Sequence, residues 1–409
     1  QSSAWLRVAR RRRGGGRGPP PPRNLELMFS ASFCLATPTR TLRSNLPIEF
    51  SASRGVIYAK GRPFFFKGLA WFGAEGPAGV VEGLEHNSMD SYFSFMRSEG
   101  FNSVRLPFNH WSVRHNPRIP LDGHVNNELN PTLAAEDDLG VGYVEHLRQL
   151  SVAAAKHNVL VVLACHRLTP DAWPGSGLWY DPARNFEESD AMASWATLAE
   201  ELCDVWNIVG VDLLSGLHKA TWGAGDDATD WNAAAERLGN HVLRFCPRWL
   251  IFVQGIAVGA PGDGGEAEGY CWGENLVGAE RAPVRLDTPE RLVYAPHTFG
   301  PAGSEQRYFR SADFPRNMPA IWRAHFLSAR EATGAPVVLG ETGGSYEGAD
   351  RVWQDALVGW ASQHAVGVFY NALNPRAAVG GTRYVGVLGD DWATPDAARL
   401  QLLRVLPTT

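Results

Sequence analysis

The chain is 409 residues long, 44% hydrophobic, 11% aromatic and 20% charged, with a formal net charge of −5. That balance excludes a fibrous or wholly disordered chain, and no apolar run reaches the roughly 18 residues that a membrane-spanning helix needs. The five cysteines, Cys34, Cys165, Cys203, Cys246 and Cys271, lie far apart with no CxxC pair. A zinc ribbon or a disulfide-framed miniprotein is therefore excluded, while the redox compartment stays open.

Charge is spread unevenly. Residues 1–50 hold nine arginines against Glu26 and Glu49, whereas the rest of the chain holds 29 basic and 41 acidic side chains. An acidic body is a poor partner for nucleic acid. Within the first segment, RVARRRRGGGRGPPPPR (7–23) is low-complexity and too poor in apolar residues to bury a core. The expectation for 1–49 is a disordered basic tail; RNA or an anionic membrane surface is the alternative use of such charge. Leu25 to Ala36 is a short apolar run with the length of a signal h-region but without a basic flank if translation starts at Met28.

From residue 50 onward short apolar runs recur in order: FFFKGLAW (64–71), SVRLPF (103–108), LVVLAC (160–165), VGVDLL (209–214), LIFVQGI (250–256), LVYAPHTF (292–299), PVVLGET (336–342) and GVFYNAL (367–373). Near-continuous rather than alternating runs are what strands buried on both faces require. Amphipathic stretches separate them: Met89–Ser98, Val141–His157, Ala191–Trp206, Trp231–Phe245, Pro315–Ala332 and Arg351–His364. After 250–256 the chain is rich in Gly and no helix is well defined. Eight strands alternating with helices predict a (β/α)8 barrel over 50–409 in one domain. Ahead of it, GVIYAKGRPFFF carries a Lys-Gly turn between apolar runs and predicts a hairpin at the barrel base.

Barrel chemistry sits at the C-terminal ends of the strands. Those ends offer Trp71, Glu75, Arg105, His166, Ser215-Gly216-Leu217-His218, Gln254, His297, Phe299, Glu341 and Asn371. Tryptophans in the same loops (Trp71, Trp111, Trp173, Trp179, Trp222, Trp272, Trp392) suit the C–H faces of sugar rings. The twelve histidines form no HExxH or close pair of the zinc type. GGGRG, in the tail and without a preceding strand, is no nucleotide loop. No metal or other cofactor is expected.

The motifs GFNSVRLPF (100–108), LVYAPHTFGP (292–301), PVVLGETGG (336–344) and YNALNP (370–375), with DDW at 390–392, resemble those of glycoside hydrolase family 5, the cellulase-like retaining β-glycosidases. The resemblance runs over about 50–409 and implies a β-linked oligo- or polysaccharide as partner, a monomer, and secretion. It also implies that Glu341 is the nucleophile, that Arg105 keeps it ionised, and that His166 and His297 line the sugar site. Trp71 and Glu75 are expected at the same rim. Retaining hydrolysis needs a second carboxyl about 5 Å from the first, acting as acid and then base.

That second carboxyl is missing. Where the family reads NEPH after the fourth strand, this chain reads Ser215-Gly216-Leu217-His218. Gly216 stands in the acid/base position and Ser215 in that of the asparagine holding the 2-hydroxyl. Phe299 replaces a tyrosine that helps to position the nucleophile, Asn371 a tryptophan platform, and Ala164 an aspartate. Losing a general acid costs about 10²–10⁴-fold. Three readings follow: a family-5 barrel whose hydrolysis is crippled, an active endo-β-1,4-glucanase-type hydrolase with a substitute acid such as His218, Asp226 or Asp227, and a non-catalytic glycan-binding protein. A bridge between Cys203 and Cys246 requires their helices to be adjacent, which sequence leaves open.

Overall fold

The computed structural model describes residues 47–135, 139–265, 269–379 and 382–408. The basic tail expected over 1–49 lies outside them apart from residues 47–49, and so does the run 25–36. Eight parallel strands form the barrel: β4 (Lys67–Ala70), β5 (Ser103–Asn109), β6 (Leu160–Arg167), β7 (Ile208–Asp212), β8 (Leu250–Val253), β9 (Leu292–Tyr294), β10 (Val338–Gly343) and β11 (Gly367–Asn371). β11 pairs with β4, and the circle closes through parallel bridges Tyr294↔Val337 and His297↔Glu341. All eight runs read from the sequence are therefore strands of one sheet.

Strands β1 (Phe50–Ser53), β2 (Val56–Ala59) and β3 (Arg62–Phe64) form the antiparallel base sheet. Phe50, Ala52 and Ile57 from it join Phe66, Leu160, Val162, Val209, Phe252 and Val338 in an apolar floor inside the barrel. Side chains alternate across a strand, so Leu160, Val162, Ala164 and His166 share the inner face of β6. Arg105 and His166 thus rise above a dry floor, and the C-terminal rim is where polar groups collect.

The outer ring contains α1 (Met89–Ser98), α3 (Tyr143–Lys156), α4 (Glu188–Leu202), α5 (Trp231–Phe245) and α8 (Gly348–Gln363). The helix expected over Pro315–Ala332 is divided into α6 (Met318–Trp322), a π-helical turn (Arg323–Leu327) and α7 (Ser328–Thr333). Two short helices were not legible in the periodicity: α2 (His110–His115), started by the Asn109 side chain accepting from Ser112 N at 2.7 Å, and α9 (Ala397–Leu403). Between β8 and β9 lie the 3-10 turns Val277–Glu280 and Pro289–Arg291. Cys203 and Cys246 cap α4 and α5 and are joined in a disulfide. Arg248 reinforces that corner by donating to the carbonyls of Cys203, Val205 and Ile208.

Candidate active site

Arg105, fully buried on β5, is the hub of the rim. Its Nη1 donates to Glu341 Oε1 at 2.5 Å, its Nε and Nη2 donate to Asp212 Oδ2 at 3.0 and 2.9 Å, and Nη2 also reaches Ser215 Oγ at 2.9 Å. A planar guanidinium presents donors in the fork that two carboxylates can share. Burial would raise the Glu341 carboxyl, but Arg105, helped by His297, His166 and the Asn371 amide, outweighs it and holds Glu341 at about 2. Asp212 goes the other way: burial pushes it up to about 6, Arg105 restrains it, and the Glu341 charge adds to the rise.

Two imidazoles flank Glu341. His166 Nε2 lies 3.7 Å from Oε1 and His297 Nδ1 3.8 Å from Oε2. Burial lowers His166 to about 3 and His297 to about 4 against the pull of Glu341, so both are neutral at pH 7. Arg105 is the largest of the influences that keep Glu341 ionised. Asn371 Nδ2 completes the shell, donating to Glu341 Oε2 at 3.2 Å. In the family pattern a tyrosine helps to position this carboxylate; here Phe299 packs near Ala70, Phe72 and Ala372 and has no hydroxyl to offer.

Across the rim lies the segment after β7. Gly216 sits at φ +82°, in the left-handed region that favours glycine. A Cβ there would lie 2.9 Å from Trp173 Cη2 and 3.1 Å from its Cζ3. Trp173 in turn stacks on His166, ring centroids 4.2 Å apart and planes 17° from parallel. His218 stacks on Trp272 at 4.5 Å, and its Nδ1 donates to the Gly216 carbonyl at 2.9 Å. Asp226 is turned onto its own loop, accepting from Ala228 N and the Thr229 hydroxyl.

Arg105, His166, Ser215, His297, Glu341 and Asn371 come together as the sequence implied. Trp71 does not. Its ring is buried against Tyr92 and Phe93 of α1, and its Nε1 donates to Glu82 O at 2.8 Å. Strand parity is the reason: the next residue, Phe72, faces inward and meets His166 edge-on at 5.7 Å. Glu75 is also turned in, with Oε2 accepting from Gly73 N at 2.8 Å, and burial pushes it up to about 7. Of the rim tryptophans, Trp179 and Trp222 are core residues, whereas Trp111 and Trp272 are 38% and 44% exposed. Sequence reading placed Asp212 too deep to act as an acid but missed its bond to Arg105; nothing in the sequence pointed to Trp173 over Gly216. Among the described residues no cluster of His, Cys, Asp and Glu is arranged to hold a metal ion.

A closed parallel barrel with an arginine-held, ionised glutamate between sugar-type polar groups is the frame of a glycoside hydrolase. The sequence model of the cellulase family, glycosyl hydrolase family 5, matches residues 58–377. An endoglucanase of Paenibacillus polymyxa is 33% identical over 357 residues, 85% of this chain and 84% of its own. The major extracellular endoglucanase of Xanthomonas campestris pv. campestris is 33% identical over 359 residues, 87% of this chain and 70% of its own. Among solved structures, the hyperthermophilic endocellulase of the archaeon Pyrococcus horikoshii superposes with a TM-score of 0.79 at 31% identity, over 88% of this chain and 99% of that one. The chain belongs to glycosyl hydrolase family 5.

Proposed function

We propose that this barrel binds β-linked glucan and keeps the glycosylation half of a retaining glycosidase while lacking the acid/base half. The observation that carries the reading is the pairing of an ionised Glu341, held by Arg105, with a glycine at 216. In such a site a Glu341 oxygen attacks C1 of the sugar and the C1–O bond breaks. A leaving group that is stable as an anion departs with the bonding pair unaided. A sugar hydroxyl needs a proton that position 216 cannot deliver, at a cost of about 10²–10⁴-fold. Water attacking the glycosyl-enzyme then has no base to take its proton, so the intermediate turns over slowly.

The reading of a full hydrolase with a substitute acid gains no support from Asp226, whose carboxylate oxygens are engaged in its own loop, and leaves His218 only Nε2 to offer. Asp212 has a carboxyl near neutrality, but it is committed to Arg105 through two hydrogen bonds.

Kinetics on 2,4-dinitrophenyl β-cellobioside beside carboxymethyl cellulose test the reading, for wild type and Glu341→Ala, with and without azide. Turnover of the aryl substrate alone, abolished in Glu341→Ala and accelerated by azide, is the expected result. Comparable activity on cellulose sinks the proposal and calls for another acid. Silence on both substrates with oligosaccharide still bound leaves a glycan-binding protein.

A further inference from the structure

The loop after β6 carries a half-buried indole that packs on the polar rim. Trp173 lies flat on His166 and edge-on to Gly216, with its Cη2 2.9 Å from the point a Cβ at 216 would occupy. Beneath it the polar groups are shut in: His166 is 1% exposed and Glu341 2%. Both ring nitrogens of His166, Nε2 of His297, Oδ1 of Asn371 and Nε1 of Trp173 itself are buried without a hydrogen-bond partner in the protein. Buried polar atoms are bonded in the great majority of cases. Unpartnered polar atoms grouped near Glu341 fit a space built for a hydroxyl-rich ligand.

We propose that Trp173 is a plug in the glycan site: it stands where a side chain at 216 would project, covers His166, and must swing out before a sugar reaches Glu341. This deepens the preceding proposal and rests on it for the identity of the ligand. It also carries a consequence for position 216. A glutamate there would meet the indole as well as an unfavourable φ, so Gly216→Glu alone is no repair; room has to be made at 173 first.

The test is the rate at which 2,4-dinitrophenyl 2-deoxy-2-fluoro-β-cellobioside labels the protein, read by intact mass, with cellotetraose affinity measured by calorimetry. Labelling forms a bond between a Glu341 carboxylate oxygen and C1 and breaks the C1–O bond. Dinitrophenolate leaves with the electron pair, and no proton is required. Trp173→Ala is expected to label about tenfold faster than wild type, the gain from a site otherwise open about a tenth of the time. Trp173→Phe, with a smaller ring over His166, should fall between, and Trp173→Ala/Glu341→Ala should not label. Should the alanine variant fail to fold, the phenylalanine variant decides by the same sign. Labelling no faster than wild type overturns the plug. If no variant labels at all, the surviving-nucleophile reading has failed and affinity decides: tighter cellotetraose binding in Trp173→Ala supports the plug, and equal or weaker binding overturns it.

Discussion

The two halves of the rim differ in what holds them. On one side Arg105 ties Glu341 and Asp212 into a buried network with Ser215 at its edge. On the other, the segment after β7 offers a glycine and a serine, overlain by an indole from the neighbouring loop. The first half is as much structural as chemical: a buried guanidinium needs its counter-charges, and removing one strands the others. An acid/base carboxyl at the mouth of a barrel has no such dependants, so a chain can lose it and still fold. A Glu341 held in place opposite Gly216 is therefore what barrel stability alone would produce. Glu341 in the sequence is a statement about Arg105 before it is a statement about catalysis.

The largest effect should come from the hub. Arg105→Met leaves Asp212 and Glu341 buried without a cation, and a loss of about 3–5 kcal/mol is expected in denaturant unfolding, or no folded protein. Trp173→Ala, on the opposite side of the rim, should stay within about 1 kcal/mol of wild type in the same titration. Equal losses at the two positions would erase the distinction between the halves.

Glu341→Gln comes next and has a pH signature. The folded-state carboxyl sits at about 2, below its ordinary 4.5, so its contribution is present above 4.5 and is lost as pH falls toward 2. The stability gap between wild type and variant should be about 3 kcal/mol at pH 7 and shrink between pH 4.5 and pH 2. A gap independent of pH would mean that the charge on Glu341 is not what Arg105 holds.

The barrel was legible because strands buried on both faces announce themselves as apolar runs, and the base hairpin because Lys60-Gly61 marks its turn. Shared family motifs carried Arg105, His166, His297 and Glu341 to their places. What stayed hidden has physical causes. Trp71 was misplaced because a one-residue shift in strand parity exchanges the rim for the helix layer, and α2 is too short for its six residues to show a period. The disulfide depends on how α4 and α5 sit together, which no local pattern encodes. Trp173 is a loop residue, and its seat exists only because position 216 has no side chain.

Glu75 shows what burial does to a carboxyl that lacks an arginine partner. It is raised to about 7 by burial, against the Gly73 N–H and the more distant charge of Arg167. A raised folded value favours the protonated form, so stability from this site is full below 4.5 and is lost as pH rises through about 7. Glu75→Gln keeps an acceptor for Gly73 without the charge. Its unfolding free energy should match wild type at pH 4, exceed it increasingly up to pH 7, and hold a constant advantage of about 3 kcal/mol above that. No gain at pH 8 would mean that Glu75 has a charged partner in solution.

The smallest effect is expected at His218, and it bears directly on whether the side of the rim that carries Gly216 supplies an acid. Nδ1 is spent on the Gly216 carbonyl and the ring is held face-on by Trp272. Only Nε2 remains to carry a proton toward a leaving oxygen. His218→Ala should therefore change turnover of an aryl cellobioside less than about twofold, because that leaving group needs no proton. On a poorer leaving group, such as an unsubstituted phenyl cellobioside, it should again change little. A general acid at 218 would instead leave the dinitrophenyl substrate untouched and slow the phenyl one by about 10²-fold or more. The ratio of the two effects decides, since loss of a mere stacking partner for Trp272 would weaken both substrates alike.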